Sequence, residues 1–340
     1  MSAASSAALA PDGMPSPSPA AMLEVRDLRT QFEIGGRIGK AVDGVSFSLR
    51  QGETLGIVGE SGSGKSIMAL SILRLLPRPF GRIAGGEILF HGVDLVRQSD
   101  KAMRQYRGRR ISMVLQDPTT ALNPVLTIGD QVEEAILAHQ NVGREEARRQ
   151  AVEMLELLRV PAAAKRLNSY PHEFSGGMRQ RVVGAIALAC RPELLIADEP
   201  TTALDVTVQD QYLRLLNRIQ RERGLAIIFI THDLVVVARM CDRIAVMYAG
   251  GIVEQAPTAV LFKNAQHPYT QALLRSALPD NPDRNARLQS IEGTPPSIFE
   301  PRVGCPFAAR CEHVQPRCRE QAPPSIAVGP DHAASCWLLA

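Results

Sequence analysis

Gly59-Glu60-Ser61-Gly62-Ser63-Gly64-Lys65-Ser66 fits the phosphate-binding pattern GxxxxGK[ST], and its reading decides the fold. Before it runs a short apolar stretch, residues 54–58, that reads as a buried strand; after it, residues 66–75 carry helical character. Strand, glycine-rich loop and helix in that order are the setting the pattern requires. Glycines let the backbone fold tightly enough to turn N–H groups toward phosphate oxygens, and the positive end of the helix adds to the attraction. Gly59, Ser61, Gly62, Ser63 and Gly64 are therefore expected to line the phosphates, Lys65 to neutralise the β and γ groups, and Ser66 to ligate Mg²⁺. Residue frequencies alone produce the pattern in about one chain in a hundred of this length, as an ordinary Gly/Ser turn. The flanking elements argue against that plainer reading.

Leu194-Leu195-Ile196-Ala197-Asp198-Glu199 is a second decisive run, an apolar strand that delivers two carboxylates at its C-terminal end, where open α/β sheets place their ligands. Asp198 is expected to hold Mg²⁺ through water, and Glu199 to polarise the attacking water as general base, a role worth a factor of about 10² to 10⁴. Taken alone, Pro200 and Thr201 would also suit an acidic pair that starts a helix. The phosphate loop in the same chain favours the catalytic reading.

Around these two motifs the chain alternates. Residues 23–49 show stretches of period-two apolar residues, as in Val45, Phe47 and Leu49, and predict strands with one buried face. Residues 194–197 and 226–230 are short apolar runs that each follow a helix-like segment, the mark of a mostly parallel sheet buried on both faces. Residues 243–248 predict another strand, ended by Gly250 and Gly251. Between about 117 and 175 the period changes: Ala147, Ala151, Met154, Leu155 and Leu158 fall on one helix face, closed by Pro161, which predicts a helical insertion. Beyond Pro257 the chain becomes a smaller appendage of short helices, prolines and cysteines. The expected divisions are a disordered tail over 1–21, a nucleotide-binding domain over 22–256 and a C-terminal domain over 257–340.

Bulk properties exclude several classes. The chain has 340 residues, 45% of them apolar, ample for a buried core. Its 38 Lys and Arg against 35 Asp and Glu are too balanced for a protein whose main partner is a polyanion, so no nucleic acid is expected. No apolar run approaches the eighteen or so residues of a spanning helix; residues 182–190 reach half that. The first twenty-one residues, rich in Ala, Ser and Pro, lack the basic start and apolar run of a secretion signal, which predicts a protein that stays in the cytoplasm.

Family resemblance enters at Ser175-Gly176-Gly177-Met178-Arg179-Gln180, which resembles the signature motif of ABC ATPases, with Met178 where that family usually has Gln. Gln116 resembles the family's Q-loop glutamine, Asp205 its D-loop aspartate, His232 its switch histidine, and Phe32 the aromatic that stacks on adenine. Tyr170-Pro171-His172-Glu173-Phe174 and His267-Pro268-Tyr269 resemble the peptide and nickel importers within that family, as does Gly304-Cys305-Pro306-Phe307 with Arg310-Cys311. The similarity spans roughly residues 22–340. It implies an α/β phosphate-loop NTPase, the ABC cassette, with a RecA-like core, an antiparallel β-subdomain, a helical insertion and a small C-terminal appendage containing cysteines.

Resemblance also implies a mode of work. Two cassettes meet head to tail and trap ATP between one chain's phosphate loop and the other's signature, so Ser175, Gly176, Gly177 and Asp205 serve the partner's nucleotide. Gln116 joins Ser66 and Asp198 about Mg²⁺, and Glu199 and His232 act on the γ-phosphate. The implied partners are a second, related ABC ATPase subunit as a heterodimer, two transmembrane permease subunits and an extracytoplasmic solute-binding protein. The implied place is the cytoplasmic face of the inner membrane, and the implied activity is ATP-driven uptake of peptides or similar small solutes. A soluble ABC protein of translation or DNA repair would share the phosphate chemistry, but such proteins carry two cassettes or long coiled coils, and neither pattern is present. A redox-sensing module would use the cysteines.

Six cysteines divide unevenly. Cys190 and Cys241 sit singly in apolar surroundings and are expected in the core, while Cys305, Cys311, Cys318 and Cys336 crowd the C-terminus. Clustered thiols in a reducing compartment more often hold metal than disulfides, and this spacing suits structural Zn²⁺ or an iron–sulfur cluster without deciding between them. His313 is a conceivable substitute ligand. Resemblance to importer ATPases favours [4Fe-4S], with zinc as the alternative.

Overall fold

A computed structural model describes residues 21–202, 204–277 and 291–340. The expected N-terminal tail therefore lies outside the described residues except for Ala21, which is already the first residue of a strand.

Two sheets organise the chain. Strands β1 (Ala21–Ile34), β2 (Arg37–Arg50), β4 (Gly81–Phe90) and β5 (Val93–Asp94) form an antiparallel sheet in the order β2-β1-β4-β5. The larger sheet contains β3 (Thr54–Val58), β6 (Ile111–Val114), β7 (Leu194–Asp198), β8 (Ala226–Ile230), β9 (Arg243–Tyr248), β10 (Gly251–Pro257), β11 (Ile326–Gly329) and β12 (His332–Ala334), in the order β11-β12-β10-β9-β3-β8-β7-β6. From β9 to β6 every neighbouring pair is parallel. β10, β12 and β11 continue the sheet antiparallel.

All five residues of β3, β7 and β8 are buried, which is why these strands read as unbroken apolar runs. Successive side chains point to opposite faces. Leu195 and Ala197 of β7, with Ile227 and Phe229 of β8, thus join one core with the helical insertion, while Leu194, Ile196, Ala226 and Ile228 join a second core under the antiparallel sheet. Within the insertion, the helix Arg144–Leu157 buries Ala147, Ala151, Met154 and Leu155, the face its periodicity predicts.

C-terminal to Pro257 the expectation of short helices and loops is incomplete. Two strands lie there, β11 and β12, and β12 pairs with β10. Leu261, Tyr269 and Phe307 are buried in the same core as the insertion, so this segment is built onto the edge of the sheet. Cys241 is buried as expected; Cys190 is partly buried, its thiol donating to the Ala135 carbonyl at 3.4 Å.

Candidate active site

Ends of parallel strands set the site. β3 runs into the phosphate loop, and the helix Lys65–Ile72 follows at once. Two loop glycines have backbone reasons to be glycine. A Cβ on Gly59, at φ 153°, would stand 2.1 Å from the Met247 carbonyl; one on Gly64, at φ 101°, would stand 2.4 Å from that of Ala41. The neighbouring strands thus press the loop into its tight course. Ser61 and Gly62 at its tip are exposed.

Lys65 is 7% exposed, and its ammonium donates to the carbonyls of Gly59 at 2.8 Å and Glu60 at 2.9 Å, with the Ser63 hydroxyl at 3.4 Å. Burial lowers its pKa, while Glu199, Asp198 and Glu60 oppose that shift. Asp198, at the end of β7, is 4% exposed; burial raises its pKa, partly offset by a hydrogen bond from Ser66 and by the Lys65 charge. Its Oδ1 is buried without a hydrogen-bond partner among the described residues. A buried carboxylate oxygen with no protein donor, beside a serine hydroxyl, is the hard oxygen chemistry that suits Mg²⁺.

Glu199 is held in the left-handed region at φ 46°, its N–H donating to the Ile230 carbonyl at 2.9 Å across to β8. A non-glycine residue in that region is strained and persists only where its surroundings enforce it. Its carboxylate gathers three side chains. Gln116 Nε2 and Thr202 Oγ1 both donate to Oε2 at 3.0 Å, and His232 Nδ1 lies 3.2 Å from Oε1. His232 precedes Asp233, whose side chain caps the helix Leu234–Met240, so the turn that carries the imidazole is fixed.

Sequence-predicted residues thus fall into two groups. Lys65, Ser66, Asp198, Glu199, Gln116 and His232 converge at the strand ends through the contacts above. Ser175, Gly176, Gly177 and Asp205 form a second group. Ser175 caps the helix Gly176–Leu188, its hydroxyl accepting from the Met178 N–H at 3.4 Å, and Ser175 and Gly176 are exposed. A Cβ on Gly177 would stand 2.6 Å from Val208, in the first turns of the helix Val206–Arg223, which Asp205 caps. Met178 packs half-buried against the core, so the position where ABC ATPases usually carry Gln is here an apolar support. Phe32 lies half-buried on β1, opposite Gly39 and Gly81 in register. Thr202 is a site residue that motif reading missed; its only sequence signal is its place three residues after Glu199.

Cys305, Cys311, Cys318 and Cys336 line one small cavity together with His267 and Phe307. Burial raises the Cys305 thiol to about 11 and pushes Cys311 and Cys336 up as well, the neighbouring thiols adding to the effect. All four are free thiols, and among the described residues no three His, Cys, Asp or Glu side chains are grouped so as to hold a metal ion.

Known proteins resemble this chain in sequence and fold. The ABC transporter family profile matches residues 42–202, and that of the oligopeptide/dipeptide transporter C-terminal region matches residues 253–318. A probable peptide ABC transporter ATP-binding protein of Sinorhizobium fredii is 53% identical over 316 residues, 93% of this chain and 94% of that one. The dipeptide transport ATP-binding protein DppD of Bacillus subtilis is 50% identical over 317 residues, again 93% and 94%. Among solved structures, a dimeric ATP-binding cassette in a post-hydrolysis state with ADP and Pi matches with a TM-score of 0.63 at 28% identity, over 70% of this chain and 99% of that one. Strand-end acids, glycine loop and C-terminal region together place the chain in the ABC transporter family, among members that carry the oligopeptide/dipeptide transporter C-terminal region.

Proposed function

We propose that this chain is the ATP-hydrolysing subunit of an importer for di- or oligopeptides or similar small solutes. The observation that carries the reading is the convergence of Gln116, Thr202 and His232 on the Glu199 carboxylate, beside the buried pair Lys65 and Asp198. Relatives with near-complete overlap are peptide and dipeptide transport ATP-binding proteins, which supports the peptide assignment.

Phosphoryl transfer asks for positioning and charge neutralisation more than covalent help. Lys65 supplies positive charge at the loop, and Ser66, Asp198 and Gln116 offer oxygens to a cation. Mg²⁺, when bound, neutralises charge on the β- and γ-phosphate oxygens. Glu199 orients and deprotonates the attacking water, and His232 and Gln116 hold that carboxylate in place. Phe32 offers its ring to adenine. Ser175, Gly176, Gly177 and Asp205 serve a second cassette's nucleotide, a reading supported by the exposure of Ser175, Gly176 and Asp205 and by the dimeric form of the similar solved cassette.

Translocation then falls to separate permease subunits, with a solute-binding protein outside and this chain on the cytoplasmic face, a reading supported by the peptide and dipeptide transport relatives; no helix among the described residues is long and apolar enough to cross a membrane. ATP shifts an open–closed equilibrium only by binding the closed dimer better, and that difference is what the permeases receive. The second cassette is a related chain, and the division of this one is 22–256 for nucleotide work and 257–340 for the importer-type region.

A Glu199→Gln variant tests the assignment. ATP binding should persist while turnover of the assembled transporter falls by about 10²- to 10⁴-fold; undiminished turnover would reject Glu199 as base. A [4Fe-4S] cluster on Cys305, Cys311, Cys318 and Cys336, with Zn²⁺ as alternative, would need the four thiols to close in from the walls of the cavity they share, since they are not grouped to hold a metal here. Iron and acid-labile sulfide assayed in anaerobically purified protein decide it: stoichiometric zinc, or neither metal, would overturn the cluster.

A further inference from the structure

Glu60, the second residue of the phosphate loop, takes no part in the chemistry above, yet it is anchored on three sides. Its carboxylate accepts a bidentate pair from Arg310, Nη1 to Oε2 at 2.7 Å and Nη2 to Oε1 at 2.9 Å. Its N–H donates to the Tyr269 hydroxyl at 2.9 Å, and its carbonyl accepts from Lys65 Nζ at 2.9 Å. Two of these three anchors come from the C-terminal region, about 210 and 250 residues further along the chain.

Arg310 is built for the task. Its side chain is 4% exposed, and its remaining N–H groups donate to the Glu292 carbonyl at 2.8 Å, the Ile291 carbonyl at 3.1 Å and the Tyr248 hydroxyl at 3.2 Å. All five donors of the guanidinium are thereby satisfied, which is what a buried ion pair needs to offset its desolvation. The rings of Tyr248 and Phe307 flank it, centroids 5.7 and 5.9 Å from Cζ. A fork fixed in this way has one position to offer Glu60.

Arg302 adds a second hold nearby, donating to the carbonyls of Ala249 and Lys40. Gly250, next in the chain to Ala249, donates its N–H to the Ser63 carbonyl at 2.9 Å. The C-terminal region thus touches the loop directly at Glu60 and, through Ala249, braces the residue that bonds Ser63.

We propose that Arg310 and Tyr269 are positioning residues for nucleotide binding: they fix the Glu60 peptide and, through its carbonyl, the Lys65 ammonium where the phosphates must meet it. The role rests on the ATP reading above. It also gives the C-terminal region a task in the nucleotide site of its own chain.

The test measures MgATP affinity of the full chain, and KM and kcat of the assembled transporter, for Glu60→Gln, Arg310→Gln, their double variant, Arg310→Lys and Tyr269→Phe. Each Gln variant should weaken MgATP about tenfold, the scale of one charge-assisted contact; KM for ATP should rise by a similar factor, while kcat stays within about twofold of the parent. The double variant should lose no more than either single, and Arg310→Lys should recover part of the loss. Should Arg310→Gln not fold, Tyr269→Phe decides, because it deletes one acceptor from a packed ring: weaker MgATP at an unchanged melting temperature supports the role, parental affinity overturns it. Losses that multiply in the double variant, or singles that match the parent, also overturn it. A parent chain that fails to bind MgATP refutes the functional reading and the positioning role together, whereas a binding parent with equal variants refutes positioning alone.

Discussion

Two buried carboxylates lie on strands of the same sheet and do opposite things. Asp198 ends β7 at 4% exposure with Oδ1 unpartnered. Glu254, on β10 at 1% exposure, has both oxygens answered: Oε1 accepts from His332 Nε2 and from the Gln266 N–H, each at 2.8 Å, and Oε2 from the His267 N–H at 2.9 Å. The difference teaches how to sort buried charge. An acid whose oxygens all meet donors from other segments ties the chain together; an acid with an oxygen left over, among cations and hydroxyls, faces a ligand. A missing partner is not enough alone, for Thr270 Oγ1 lacks one too; Asp198 differs in having Lys65 and Ser66 beside it.

The largest effect that would break this comparison comes from exchanging each acid for its amide. Asp198→Asn should cut Mg²⁺-dependent turnover by about 100-fold or more, since a metal's charge stabilisation is worth several kcal/mol, while unfolding free energy stays within about 1 kcal/mol, the protein having left that oxygen unbonded. Glu254→Gln should do the reverse. It removes an ionised acceptor from three donors and should cost about 3 kcal/mol of stability, with turnover per folded molecule retained. Denaturant melts alongside ATPase assays check both halves. Equal stability losses in the two variants would erase the distinction.

Much of the nucleotide site was legible because its chemistry is local. The glycine loop, the acids of Asp198 and Glu199 and the strands that present them are short contiguous patterns, and the strand predicted over residues 54–58 is β3 itself. Gln116, His232 and Asp205 needed a family resemblance, since each is one polar residue after a strand or before a helix and its meaning lies in what it meets across the sheet. The edge of the molecule was hardly legible. β12 is three residues long and gains its identity from pairing with β10, some eighty positions earlier. Arg310 reads as one more basic residue beside a cysteine until folding sets it against Glu60. Sequence patterns report local periodicity and spacing, and these contacts have neither.

The smallest predicted effect sharpens the comparison from the side of Glu254. His267 donates its backbone N–H to that acid, and its side chain is buried beside the thiol-lined cavity, Nδ1 accepting the Tyr269 N–H at 3.0 Å with the Phe307 ring 5.9 Å away. Burial lowers its pKa to about 4 from an ordinary value of 6.5. Between those values the unfolded chain binds one more proton than the folded chain at this site. Its contribution to stability is therefore complete above pH 6.5 and is lost as the pH falls toward 4, by about 1.4 kcal/mol per unit. His267→Gln should flatten the pH dependence of unfolding free energy across this window by about one proton, whatever it does to stability at neutral pH; an unchanged slope would mean the imidazole is already solvated.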